Sequence, residues 1–166
     1  MSILLIGFMG AGKSTVGRLL AEQLAKPFRD LDQLVEEMTQ KTIPQLFEEG
    51  EAVFREAETK ALIAALGKDQ VIACGGGIIL KEANQALLQA HPQVVYLKGQ
   101  PDALFRRIQK DEANVRPLAT EKTVAEMQEI LAPRLPLYKS AASIEVETTG
   151  KAPQEIVQEI VERLEL

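Results

Sequence analysis

The sequence predicts an α/β fold, a parallel β-sheet covered by helices on both faces. Three observations predict it. Short apolar runs alternate with amphipathic stretches along the 166 residues, the pattern of strand–helix–strand units. A complete phosphate-binding loop, Gly7-Phe8-Met9-Gly10-Ala11-Gly12-Lys13-Ser14, directly follows the first of those runs. Residues with chemistry to offer then recur at the ends of apolar runs, where ligands bind in such sheets.

The first run, Ile3-Leu4-Leu5-Ile6, reads as a buried strand. Residues 14–25 read as a helix, with Val16, Leu19, Leu20 and Leu24 at helical spacing. The order matters: a strand must deliver the chain to the loop, and the helix N-terminus must turn its N–H groups toward the phosphates. Glycines let the loop backbone curl with its amides inward. Gly10, Ala11, Gly12, Lys13, Ser14 and Thr15 are therefore the expected nucleotide contacts. Lys13 suits the β- and γ-phosphates, and the Ser14 hydroxyl suits a Mg²⁺ ion.

Residues 27–32 read as a short strand ending in Asp30 and Asp32. Extended geometry would point both carboxylates toward one face. They could then divide two tasks, one acid standing near the metal and the other orienting or deprotonating an acceptor hydroxyl. The alternative is that either acid caps the following helix. Residues 34–38 read as that helix, and residues 43–66 as one or two more, broken near Gly50. Here Arg55 and Glu58 stand three apart and can pair, although a surface pair of this kind contributes little.

Residues 71–74 form the next apolar run, closed by Gly75-Gly76-Gly77. Three glycines lose backbone entropy on folding and add no packing. A close backbone approach to a ligand explains them, beside the plainer reading of a tight strand-to-helix connection. A helix over 81–90, a strand over 94–97 and a helix over 101–109 follow, the last started by Pro101 and Asp102. Residues 110–122 are polar, contain Pro117 and break the periodicity; they read as a mobile lid carrying Arg116. The next helix, 124–138, holds Arg134 between Pro133 and Pro136, a rigid setting for a guanidinium that can grip a carboxylate through two parallel hydrogen bonds. A strand over 143–146 and a helix over 153–164 complete the chain. Cys74 continues an apolar strand and reads as buried; His91, before Pro92, reads as a loop residue.

Composition narrows the class. The chain is 46% hydrophobic and 26% charged, ordinary for a soluble globular protein, and its length suits a single domain over 1–166. A net charge of −5 argues against general affinity for nucleic acid or an anionic membrane. No secretory h-region and no membrane-length apolar stretch is present in the sequence. The one cysteine excludes an internal disulfide and suits a reducing compartment, and one His with one Cys makes a structural zinc site unexpected. A cytoplasmic monomer without nucleic-acid or membrane partners is the expectation.

Taken in order, these segments resemble the shikimate kinase family. The likeness runs through GFMGAGKST, the Asp30-Leu31-Asp32 pair, IPQLFEEGEAVFREAE (residues 43–58), CGGGIIL (74–80), RPL (116–118) and RLPLY (134–138). The loop alone identifies only a superfamily; the ordered combination is far more specific. The resemblance implies a three-layer α/β/α P-loop kinase fold with a central five-stranded parallel sheet and a mobile lid. It also implies transfer of the ATP γ-phosphoryl group to the 3-hydroxyl of shikimate, with Mg²⁺ as cofactor. Asp32 would hold the substrate hydroxyls and serve as base. Arg55 and Arg134 would grip the shikimate carboxylate, Glu58 would orient Arg55, and the Gly75–Gly77 segment would offer backbone contacts, Gly76 among them. Arg116 would reach the phosphates from the lid, and Arg107 and Pro153 would flank adenine. Two positions depart from the family pattern: Lys41 stands where a glycine is common, and Ala119 where a leucine is. From the residues alone, a carboxylate clamp does not separate gluconate from shikimate. A nucleotide-dependent switch is the rival from another class, although no Asn-Lys-x-Asp guanine-reading segment is present.

Overall fold

The computed structural model describes residues 1–8, 10–100, 103–106 and 124–166, without the side chains of Val124 and Met127. The 110–122 lid, Arg107, Arg116 and most of the expected 101–109 helix lie outside the described residues; 103–106 are helical.

Five strands form one sheet: β1 (Ile3–Ile6), β2 (Phe28–Asp30), β3 (Val71–Ala73), β4 (Val94–Lys98) and β5 (Ile144–Glu147). They run in the order β2-β3-β1-β4-β5, every pair parallel. Leu4 of β1 is in register with Ile72 on one side and Val94 on the other. β1 is 0% exposed at all four residues, which is why it reads as an unbroken apolar run rather than an alternating one. The chain leaves this central strand toward β2 and β3, and reaches β4 and β5 on the other side only later. The loop after β1 therefore opens where the connections diverge, the ligand position of an open α/β sheet.

The helices are α1 (Lys13–Leu24), α2 (Leu31–Thr39), α3 (Ile43–Glu49), α4 (Glu51–Leu66), α5 (Glu82–Gln89), α6 (Val124–Leu131), α7 (Leu135–Ala141) and α8 (Pro153–Arg163). α1 packs on β3 and against α8, while α4, α5 and α7 make a second connected group. α1 comes so close to β2 that a Cβ on Gly17 would fall 2.6 Å from the Phe28 ring. The 43–66 segment divides at Gly50 (φ 137°), and α3 starts on a capping box between Thr42 and Gln45. In the preceding turn the left-handed residue is Gln40 (φ 58°), so Lys41 needs no glycine's freedom and instead pairs with Glu49 at 2.8 Å. Among the described residues no helix is long and apolar enough to cross a membrane.

Two expected elements differ. The strand expected over 27–32 stops at Asp30, and Asp32 lies in the first turn of α2. The helix expected over 124–138 breaks into α6, a 3₁₀ turn (Ala132–Arg134) and α7. Pro133 and Pro136 lack the N–H that an uninterrupted helix would use, and each sits in a first turn where that loss costs little.

Candidate active site

The phosphate loop is shaped by close packing at its start and by a left-handed turn at its end. A Cβ on Gly7 would fall 2.6 Å from the Leu97 carbonyl oxygen, so only glycine lets β1 and β4 end side by side. Gly12 (φ 87°) turns the chain into α1. The N-cap residue Gly12 brings no capping side chain and no acid occupies the first turn of α1, which leaves a positive helix end suited to an anion. Ala11 is buried, so it can meet a nucleotide only through its backbone. The Lys13 ammonium folds over the loop, donating to the Gly7 carbonyl at 2.6 Å and the Phe8 carbonyl at 3.1 Å.

The two acids expected to act side by side do different things. The Asp30 Oδ1 accepts from the Asp32 N–H at 2.9 Å and the Gln33 N–H at 3.3 Å, capping α2. Its Oδ2 accepts from the Ser14 hydroxyl at 3.3 Å. Capping and the neighbourhood of Ser14 thus belong to opposite oxygens of one carboxylate. Asp32 turns instead toward the glycine triplet: a Cβ on Gly75 would meet its Oδ1 at 3.1 Å and the Glu58 Oε2 at 3.4 Å.

Arg55 and Glu58 are not a surface pair. Glu58 is 1% exposed and receives the Arg55 Nη1 at 3.0 Å. The guanidinium rests on Gly77, where a Cβ would lie 2.5 Å from Nη2, and its Nε is 3.6 Å from Glu51. Among the described residues Arg55 Nε and Glu58 Oε2 have no hydrogen-bond partner, although both atoms are buried. Burial pushes the Glu58 carboxyl up to about 7; the charge and hydrogen bond of Arg55 pull it down, and the charge of Asp32 pushes it further up. Cys74, beneath this cluster, is buried as expected, and burial raises its thiol well above the usual range, so it is no nucleophile.

The Arg134 guanidinium lies 5.6 Å from the centre of the Phe8 ring. Beside it Tyr138 is fully buried, stacks on Tyr96 with centroids 5.0 Å apart, and donates its hydroxyl to the Gly76 carbonyl. Burial raises the phenol pKa, against opposing effects of the Arg134 charge and hydrogen bond. Sequence reasoning assigned no role to Tyr138. The available signal was its place four residues after Arg134, on the same side of a helix.

Other expected contacts are dispersed. Thr15 is exposed on α1, and Pro153 begins α8 after β5, at the same C-terminal edge of the sheet. His91 lies in its expected connection, with Nε2 against the Ser2 carbonyl at 2.7 Å. Among the described residues no three His, Cys, Asp or Glu side chains cluster as a metal site.

A family model described as shikimate kinase matches residues 9–165. A shikimate kinase of Enterococcus faecalis is 42% identical over 164 residues, covering 98% of each chain. One from Lactococcus lactis subsp. cremoris is 44% identical over 167 residues, covering 100% of this chain and 99% of its own. Among solved structures, shikimate kinase from Acinetobacter baumannii in complex with shikimate superposes with a TM-score of 0.89 at 38% identity, covering 98% of this chain and 92% of that one.

Proposed function

The chain belongs to the shikimate kinase family, and on that premise we propose that it transfers the γ-phosphoryl group of ATP to the 3-hydroxyl of shikimate, giving shikimate 3-phosphate and ADP, within aromatic amino acid (chorismate) biosynthesis. One observation carries the reading to the residues. The phosphate loop shares a sheet edge with a half-buried Arg55 that is paired with buried Glu58 and lodged against Gly77, and a partly desolvated arginine there suits an anionic acceptor.

In this reading ATP lies along Gly10 to Thr15, with Lys13 leaving the loop carbonyls for the β- and γ-phosphates. Arg55 and Arg134 grip the shikimate carboxylate, Glu58 orients Arg55, and Gly75, Gly76 and Gly77 contribute backbone contacts. Fixing the carboxylate at a distance from the reacting hydroxyl lowers the entropic part of the barrier. Asp32 holds the hydroxyls and takes the proton as the 3-oxygen bonds to the γ-phosphorus and the bond to ADP breaks. Arg116 reaches the phosphates from the 110–122 lid, and Arg107 and Pro153 flank adenine.

Ser14 and Asp30 are the residues that would hold Mg²⁺. Their oxygens stand 3.3 Å apart beside the loop, and a cation retained by few protein oxygens relies on phosphates and water, as Mg²⁺ does. When bound, the ion would neutralise charge on the β- and γ-phosphates. A single domain over 1–166, working in the cytoplasm as a monomer on small molecules alone, completes the proposal.

A coupled ADP-release assay tests it. Shikimate should stimulate turnover; gluconate and nucleoside monophosphates should not. Activity on either of those and none on shikimate would sink the reading, and tight ATP binding without any stimulating acceptor would favour a nucleotide switch.

A further inference from the structure

We propose that Tyr138 is a positioning residue for the acceptor, whose hydroxyl fixes the Gly76–Gly77 peptide and so sets Arg55 against Arg134. The inference rests on the function proposed above. A glycine triplet has more torsional freedom than any other tripeptide, so something outside it must choose its conformation. The Gly76 carbonyl and the Gly77 N–H belong to one rigid peptide plane. Tyr138 donates to that carbonyl, and the Arg55 guanidinium rests on Gly77. One peptide unit is thereby held between the two arginine-bearing segments of the acceptor clamp.

Tyr138 is itself firmly seated. Its ring is 0% exposed and stacked on Tyr96 of β4, so the hydroxyl cannot swing away without disturbing the core. The same phenol interacts with Arg134, four residues before it. Burial keeps the phenol protonated through the physiological range, so it remains a donor to Gly76. An apolar ring would fill the space equally well. The hydroxyl is what connects Arg134 to the glycine turn.

The experiment compares wild type with Tyr138→Phe, which keeps the stacked ring and removes only the donor. Wild-type turnover with shikimate is measured first, because its absence would overturn the proposed function rather than this inference. With turnover in hand, Y138F should raise the shikimate KM at least about fivefold, the factor one such hydrogen bond is worth. The ATP KM should stay within about twofold and the melting temperature within about 4 °C of wild type. Y138F and R134A should also be less than additive in the shikimate KM. A shikimate KM unchanged in Y138F, or one that shifts together with the ATP KM, overturns the proposal. Should Y138F not fold, the wild-type protein decides. It has two tyrosines and no tryptophan, so its near-ultraviolet emission comes from the stacked Tyr96–Tyr138 pair. Shikimate, without ATP, should change that emission saturably, and a flat titration overturns the role.

Discussion

The Arg55 guanidinium occupies the space that a side chain at Gly77 would need. A Cβ there would lie 2.5 Å from Nη2 and 2.6 Å from Nη1. Gly77 itself has φ −92° and ψ 10°, torsions open to other residues. The position therefore demands glycine for space and not for backbone freedom. Gly77→Ala should displace the guanidinium, and because that is the far end of a flexible side chain the fold should lose only about 1 kcal/mol. Acceptor recognition should suffer far more, with the shikimate KM rising at least about tenfold and the ATP KM unchanged, since a small misplacement of a positioning group has a large kinetic effect. Initial rates with each substrate varied decide it. An unchanged shikimate KM would detach Gly77 from the acceptor site.

Glu58 makes stability depend on pH with an unusual sign. Its folded pKa is raised from 4.5 to about 7, chiefly by burial. A carboxyl with a raised folded pKa contributes stability that is fully present below its unfolded pKa and is lost as pH rises through the folded one. From this group alone, stability should fall across that window by up to about 3 kcal/mol, the value of a shift of two to three pH units. Urea unfolding at about pH 5 and about pH 8 measures the difference. Glu58→Gln keeps the shape and an acceptor for Arg55 but cannot ionise, so its stability should vary less between the two conditions. Equal pH slopes for the two proteins would show that Glu58 is not the group responsible.

These residues also mark the limit of what the sequence discloses. The phosphate loop was fully legible, because its geometry demands particular residues at fixed offsets within eight positions. Four of the five strands were legible as apolar runs, whereas β2 (Phe28-Arg29-Asp30) is half-buried and was expected to run on to residue 32; nothing local states that β3 lies between β1 and β2. Asp30 and Asp32 looked alike because spacing two apart suits an extended chain; the helix begins between them, so one became a cap and the other turned to Gly75. Arg55 and Glu58 looked like an ordinary exposed pair at helical spacing. Their burial is made by the Gly75–Gly77 turn, about twenty residues away, and no periodicity within α4 reports it. Tyr138 was hidden for the same reason, since its partner is the Gly76 carbonyl 62 positions earlier.

Arg134 offers a test of fork geometry against bare charge. Its guanidinium is partly exposed, lies 5.6 Å from the Phe8 ring centre and interacts with Tyr138. Arg134→Ala should mainly impair acceptor binding, raising the shikimate KM at least about tenfold, the scale of a charge-assisted hydrogen bond. Arg134→Lys retains the charge and loses the planar fork, so it should recover little of that loss. Full recovery by lysine would mean that Arg134 acts by long-range attraction. An unchanged shikimate KM in the alanine variant would remove it from the clamp altogether.

Asp30 presents its two oxygens to different partners, and one substitution separates its helix cap from the metal role proposed for it. Oδ1 caps α2 through the Asp32 and Gln33 amides, while Oδ2 faces the Ser14 hydroxyl at 3.3 Å. Asparagine caps helices about as well as aspartate, so Asp30→Asn should alter stability by no more than about 0.5 kcal/mol, whereas Asp30→Ala should lose about 1 kcal/mol with the cap. The asparagine variant nevertheless lacks the negative charge that a hard cation requires. Its half-saturating Mg²⁺ concentration for turnover should rise at least about tenfold, the effect of roughly 1.4 kcal/mol of lost binding. Urea midpoints for the three proteins, set beside Mg²⁺ titrations of their activity, distinguish the roles. Were D30N as stable as wild type and equally content with low Mg²⁺, Asp30 would be a helix cap alone, and the cation would be held by Ser14, water and phosphate without it.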